Sequence, residues 1–192
     1  SGMEWDGIGI PQSFIGFSGT FDGNGHTVKG VYIMYINGNS THRGLFGNVL
    51  SGTIKNLQVA ESFIKGDRWV GGVVGYMSSG TLEGCFNSAK VSGSETYVGG
   101  ICGIGAGNSI LKNCGNSGDV YGRYPDACGG IAGSLSSSEA TNCSEATNCF
   151  NYGKVKGGAI CGSGTVKNSY YLEGSCEDAG DATEKDAAAF LS

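Results

Sequence analysis

Apolar and polar residues along this chain alternate in short bursts, and the bursts recur with a nearly fixed period. A glycine-framed phrase reads Gly44-Leu45-Phe46-Gly47, Gly72-Val73-Val74-Gly75, Gly100-Ile101-Cys102-Gly103, Gly130-Ile131-Ala132-Gly133 and, degraded, Ala159-Ile160-Cys161-Gly162. Its closing glycines are spaced 28, 28, 30 and 29 residues apart. Such a period marks stacked supersecondary units, none of which buries its apolar face alone. Inside the phrase one position is always aliphatic: Leu45, Val73, Ile101, Ile131, Ile160. A second segment alternates apolar and polar residues, as a half-buried strand does. It reads Thr27-Val28-Lys29-Gly30-Val31, Thr53-Ile54-Lys55-Asn56-Leu57, Thr81-Leu82-Glu83-Gly84-Cys85 and Ile110-Leu111-Lys112-Asn113-Cys114. A third ends Ile64-Lys65-Gly66, Val91-Ser92-Gly93, Val120-Tyr121-Gly122 and Val155-Lys156-Gly157.

Three short strands per unit, glycine at the corners and no helical period over residues 1–176 predict an all-β fold. The expected fold is a right-handed parallel β-solenoid, or β-helix, of about five to six coils. Stacked coils place equivalent residues above one another, so each interior column must be chemically compatible with itself. Asn87, Asn116 and Asn151 form one such column, and stacked amides can bond along the axis. The hexapeptide at 138–143 is repeated at once at 144–149, so one copy must leave the coil. Repeat register favours the first copy and the neighbouring residues favour the second.

The chain reads as one domain, 1–192. Residues 1–43 form an N-terminal cap and first coil, 44–176 the repeats, and 177–192 an acidic C-terminal cap. At the N-terminus Trp5, Ile8, Ile10, Phe14, Ile15 and Phe17 are apolar enough to cover the first coil. At the C-terminus residues 183–191 are the one stretch that suits a helix, with Thr183 as N-cap and acidic residues in the first turn.

Composition narrows the function classes. With 37 glycines but 2 prolines, the chain keeps the backbone N–H groups that central strands must donate. The net charge of −5 resides in residues 173–186, and no basic face exists to neutralise phosphates, which argues against nucleic acid. No apolar run approaches the roughly 20 residues needed to insert in a membrane.

Eight cysteines could signal disulfides, but they fall in apolar columns. Cys102 and Cys161 take the place of Phe46, Val74 and Ala132; Cys85, Cys114 and one of Cys143 or Cys149 that of Val31 and Leu57; Cys128 that of Val70 and Val98. They read as small buried hydrophobes, with one vertical bridge between neighbours such as Cys85 and Cys114 left open. The spacings predict no metal site and no cofactor. Asp22-Gly23-Asn24-Gly25 lacks the later ligands of a calcium loop and reads as a tight turn. No His-Glu-x-x-His occurs, Ser-rich 134–138 has no nearby histidine, and the repeat carboxylates scatter over different columns. Glu83, between Lys55 and Lys112, suits charge pairing across coils. No catalytic residue is expected. Trp69 and Tyr97 fall at one place in successive repeats, and Tyr124 lies near it, displaced by an insertion containing Pro125. With Arg68 and Arg123 alongside, these three rings are the candidate ligand-binding stripe, against the plainer reading that they cover the corner turns.

Gly44-Leu45-Phe46-Gly47 followed by Gly52-Thr53-Ile54-Lys55-Asn56-Leu57 resembles the GLUG-motif repeats of bacterial cell-surface proteins. The phrase Gly19-Thr20-Phe21-Asp22-Gly23-Asn24-Gly25-His26-Thr27 and the closing Asn168-Ser169-Tyr170-Tyr171-Leu172 are similar to the ends of such arrays. The resemblance covers roughly residues 16 to 175. It implies a repeat region of a secreted or wall-anchored bacterial protein, often an adhesin and sometimes an accessory region of an immunoglobulin A peptidase. The expected partners are then a host or cell-wall glycan or a surface protein. A passive stalk is the alternative, and a β-helix polysaccharide lyase or hydrolase a more remote one.

Overall fold

The structure, a computed structural model, describes residues 5, 7–9, 15–34, 41–136 and 144–188. It is a parallel β-solenoid in which every strand pairing is parallel and in register with the next coil. Each full coil carries five short strands rather than three. In one coil they are Phe46–Val49, Gly52–Lys55, Gln58–Ala60, Phe63–Gly66 and Arg68–Gly71. Stacking them gives five sheets, numbered I to V in that order around the coil. Among the described residues sheets I, IV and V hold four strands each, II six and III seven. The described residues therefore make about four complete turns with partial ones at the ends, slightly fewer than the five to six expected.

The aliphatic column sits inside as expected: Leu45 is 6% exposed and Val73, Ile101, Ile131 and Ile160 at most 1%. Backbone amides join its members along the axis, Val73 to Ile101 at 3.0 Å and Ile131 to Ile160 at 2.8 Å. Beside it Phe46, Val74, Cys102, Ala132 and Cys161 align as the repeats require. The closing glycines have a steric cause. A Cβ on Gly103 would lie 2.5 Å from Trp69 C and Val70 N, backbone atoms of a corner that cannot move aside.

The asparagine column is a buried ladder. Asn87 Nδ2 donates to Asn116 Oδ1 and Asn116 Nδ2 to Asn151 Oδ1, both at 2.9 Å. Each amide also reaches a carbonyl two residues on in its own coil, those of Ala89, Gly118 and Gly153. All three asparagines are fully buried, so each ladder stabilises itself only by being complete.

Two expectations need correction, and the open choice between the hexapeptide copies is settled. Thr27–Lys29 does not align with Thr53-Ile54-Lys55. Thr20–Asp22 takes that place, and Thr27–Lys29 pairs with Gln58–Ala60. Val31 therefore does not share a column with Leu57 and Cys85; Gly23 lies against Leu57 instead. The second copy of the hexapeptide is the one in the coil, since Glu145–Thr147 pairs with Ile110–Lys112 and Cys149 is buried. The first copy, with Cys143, lies outside the described residues. Finally, Thr183–Lys185 is a strand on the last edge of sheet III, pairing with Tyr170–Leu172. It is not the first turn of a helix. Helical residues begin at 187 and 188, and the rest of the expected helix lies outside the described residues.

At the other end Ile8 and Phe17 bridge to Phe46 and Val49. The rings of Phe17 and Phe21 close on Phe46 at 5.2 and 5.3 Å, covering the end of the core. Ile15 is 65% exposed and takes no part in that cover, while Ile10 and Phe14 lie outside the described residues. Among the described residues no helix is long and apolar enough to cross a membrane.

Candidate functional site

The start of sheet V holds two of the three aromatic residues singled out in the sequence. Trp69 aligns with His42 below it and Tyr97 above it. All three have positive φ, of 57°, 59° and 63° respectively, which side chains other than glycine adopt only when the surroundings fix them. The Trp69 ring packs edge-on against His42 at 4.5 Å and lies 5.6 Å from Tyr76. Trp69 and Tyr97 are half-buried, and the indole N–H is enclosed without a partner. His42 is buried, with Thr41 Oγ1 2.8 Å from its Nδ1. Burial, and secondarily the Arg43 charge, push its pKa down to about 4.

Tyr124 is not part of that column. Pro125–Ala127 forms a short 3-10 turn, and Ala127 takes the place equivalent to Tyr97, directly before Cys128. Tyr124 stands 46% exposed with the Arg123 guanidinium 5.5 Å from its ring centre. Arg68 is committed to Glu95 at 3.0 Å. The structure therefore stacks Trp69 and Tyr97 at one position on successive coils and leaves Tyr124 apart.

A different place has the shape of a binding site. Where sheet III turns into sheet IV a groove of about 500 Å³ opens, lined by Tyr32, Glu61, Ser62, Phe63, Ser88 and Lys90, with Gly30 and Val31 at its end. That volume lies within the range of small-ligand clefts. The strand alternation explains the lining. Ile33, Ile64 and Val91 point into the core and are fully buried, so their predecessors Tyr32, Phe63 and Lys90 face out. The Tyr32 and Phe63 rings stack at 5.8 Å with a 30° interplanar angle. Glu61 pairs with Lys29 on the neighbouring coil. Ser62 Oγ accepts from the Val31 N–H at 3.0 Å and donates to the Ala60 carbonyl at 2.7 Å, which fixes the corner. Lys90 Nζ lies 5.2 Å from the centre of the Tyr121 ring, whose hydroxyl is pushed up in pKa by the nearby Asp119 carboxylate. The result is a flat apolar wall flanked by one carboxylate, one ammonium and two serine hydroxyls.

None of these groove residues was singled out from the sequence. The signal existed in the third segment, where Tyr32 and Phe63 both precede an inward isoleucine. Three carboxylates elsewhere on the coils are engaged in axial ion pairs: Asp22 with Lys55 at 3.2 Å, Glu83 with Lys112 at 3.0 Å and Glu145 with Lys167 at 2.6 Å. Among the described residues no group of three or more His, Cys, Asp or Glu side chains could hold a metal ion.

No protein-family model matches the chain, and no curated protein matches it. A solved structure does: the crystal structure of a Bacteroides ovatus protein named "putative immunoglobulin A1 protease". The two superpose with a TM-score of 0.67 at 19% identity, over 88% of this chain and 70% of that one. The likeness is one of fold.

Proposed function

We propose that this chain is a non-catalytic repeat module of a bacterial surface or secreted protein, and that it binds a glycan in the groove between sheets III and IV. The observation that carries the reading is the stacked Tyr32–Phe63 pair set beside ionic and hydroxyl groups in one cleft. Pyranose rings have apolar C–H faces and a hydroxyl rim, the chemistry that an aromatic wall with a polar border complements. A glycosidase-type site needs two carboxylates across one substrate. The groove lining has one, Glu61, already paired with Lys29. The motif resemblance and the wholly β repeat architecture support an extracellular or cell-surface setting.

The test is a glycan-array screen of the whole chain beside a Tyr32→Ala/Phe63→Ala variant. At least one glycan class should bind, and the double variant should lose roughly tenfold or more in affinity with little change in melting temperature. A chain that binds no glycan leaves the passive-stalk reading standing. Binding that survives the double variant places the site elsewhere.

A further inference from the structure

The outward face of sheet III carries a second aromatic group that the groove does not use. Phe86, Phe150 and Tyr152 lie mutually about 6 Å apart, at 6.1, 6.1 and 6.0 Å between ring centres, and the Phe150 and Tyr152 rings are parallel within 2°. Phe86, Gly115 and Phe150 occupy one column on successive coils. A Cβ on Gly115 would lie 2.2 Å from Phe150 Cζ. The missing side chain at Gly115 therefore lets the Phe150 ring lie down across the strand toward Phe86. Such an arrangement makes a flat apolar platform on a solvent-facing sheet, with Tyr152 still 41% exposed.

The platform and the groove are joined by a column of small residues. Lys29 pairs with Ala60 in register. The next members are Ser88, Ser117 and Tyr152, whose amides bond in the same way to Val59, Asn87 and Asn116 of the preceding coil, at 2.8, 2.8 and 3.0 Å. Ser88 lines the groove and Tyr152 belongs to the platform. Between them the outward floor is Ser117, with Gly115 beside it, so no bulky side chain from this strand interrupts the path. From the coil of Tyr32 to that of Tyr152 is four steps, about 19 Å at the strand spacing.

Resting on the groove reading above, we infer that the ligand is a linear, uncharged glycan lying along the solenoid axis, one end on Tyr32 and Phe63 and the other on the Phe86–Phe150–Tyr152 platform. A linear chain fits because the path is straight and several sugar units long. An uncharged one fits because the groove lining holds one carboxylate and one ammonium and no excess of either sign. Sheet IV strands supply one end and sheet III strands the other, and both are in place in one structure, so no movement is needed to form the site.

The test uses β-1,4-linked N-acetylglucosamine oligomers, a trimer and a hexamer, titrated into the whole chain. The hexamer should bind roughly tenfold or more tightly than the trimer. Tyr152→Ala, and separately Ser117→Trp, which blocks the path midway, should reduce the hexamer to trimer affinity and leave the trimer unchanged. Both positions face outward, and unchanged melting temperatures verify that the fold is kept. Equal affinities for the two lengths, or a hexamer indifferent to both substitutions, overturn the axial site while the groove stands. Failure of both lengths to bind overturns the axial glycan and, if the array is also blank, the groove reading with it.

Discussion

Single side chains hold this fold by being repeated, and the asparagine ladder shows it most plainly. Asn116 gives hydrogen bonds to Asn151 and to the Gly118 carbonyl and takes one from Asn87. Asn116→Ala should cost on the order of 2–3 kcal/mol, because two buried acceptors lose their donor; urea unfolding would measure it, and a change under 0.5 kcal/mol would deny the ladder its role. His42 is the opposite case, a buried ionisable ring whose pKa falls from 6.5 to about 4. Its unfolded form binds a proton first as pH drops, so stability is lost progressively between those two values and no further below them. The melting temperature of the native chain should therefore fall relative to that of His42→Phe over pH 6.5 to 4. Parallel curves over that window would show that His42 titrates normally. The interior residues were legible in the sequence and the groove was not, for a physical reason. Stacking forces Ile33, Ile64 and Val91 to be alike, whereas Tyr32, Phe63 and Lys90 face water and owe one another no likeness.

At the scale of the strand and its corner, periodicity revealed the repeats but undercounted the elements. Strands of two to four residues separated by short corners, most of them two residues long, merge into one segment when read by alternation alone. The first coil shows the same ambiguity: Thr20-Phe21-Asp22 and Thr27-Val28-Lys29 share one apolar–polar pattern. Gly23 decides between them, since a Cβ there would strike Asn56 O at 2.5 Å and Leu57 Cα at 2.8 Å. At the far end local helix propensity at Thr183-Glu184-Lys185 yields to an open strand edge, which costs free energy until something pairs with it. The corner glycines make the sharpest prediction here. Gly103→Ala should destabilise on the order of 3 kcal/mol, because its Cβ meets backbone rather than a side chain that can give way. A variant as stable as the parent in thermal melting would contradict the packing of Gly103 on the Trp69 corner.

Over the whole molecule the columns make a single continuous core, so a charge placed in it should be felt throughout. Ile101→Asp puts an unpaired carboxylate among fully buried neighbours, and should leave the chain unfolded or aggregated by circular dichroism. The cysteines belong to that core. Cys102 is held far above the usual thiol range by burial, and Cys128 and Cys161 are pushed up to about 12. Cys114 is raised as well, first by hydrogen bonding with the Cys149 and Cys85 thiols on either side of it and then by burial. Thiol labelling of the folded chain should spare Cys85, Cys102, Cys114, Cys128 and Cys149 and proceed rapidly in denaturant. Three or four disulfides in a non-reducing mass measurement would contradict this. The proposed function rests on where aromatic rings would meet a ligand, and an aromatic NMR titration with the tightest array glycan tests that most directly. The Tyr32 and Phe63 ring signals should shift with saturation while the Trp69 indole stays in place. Saturable shifts at Trp69 and Tyr97 with Tyr32 and Phe63 unmoved would contradict it.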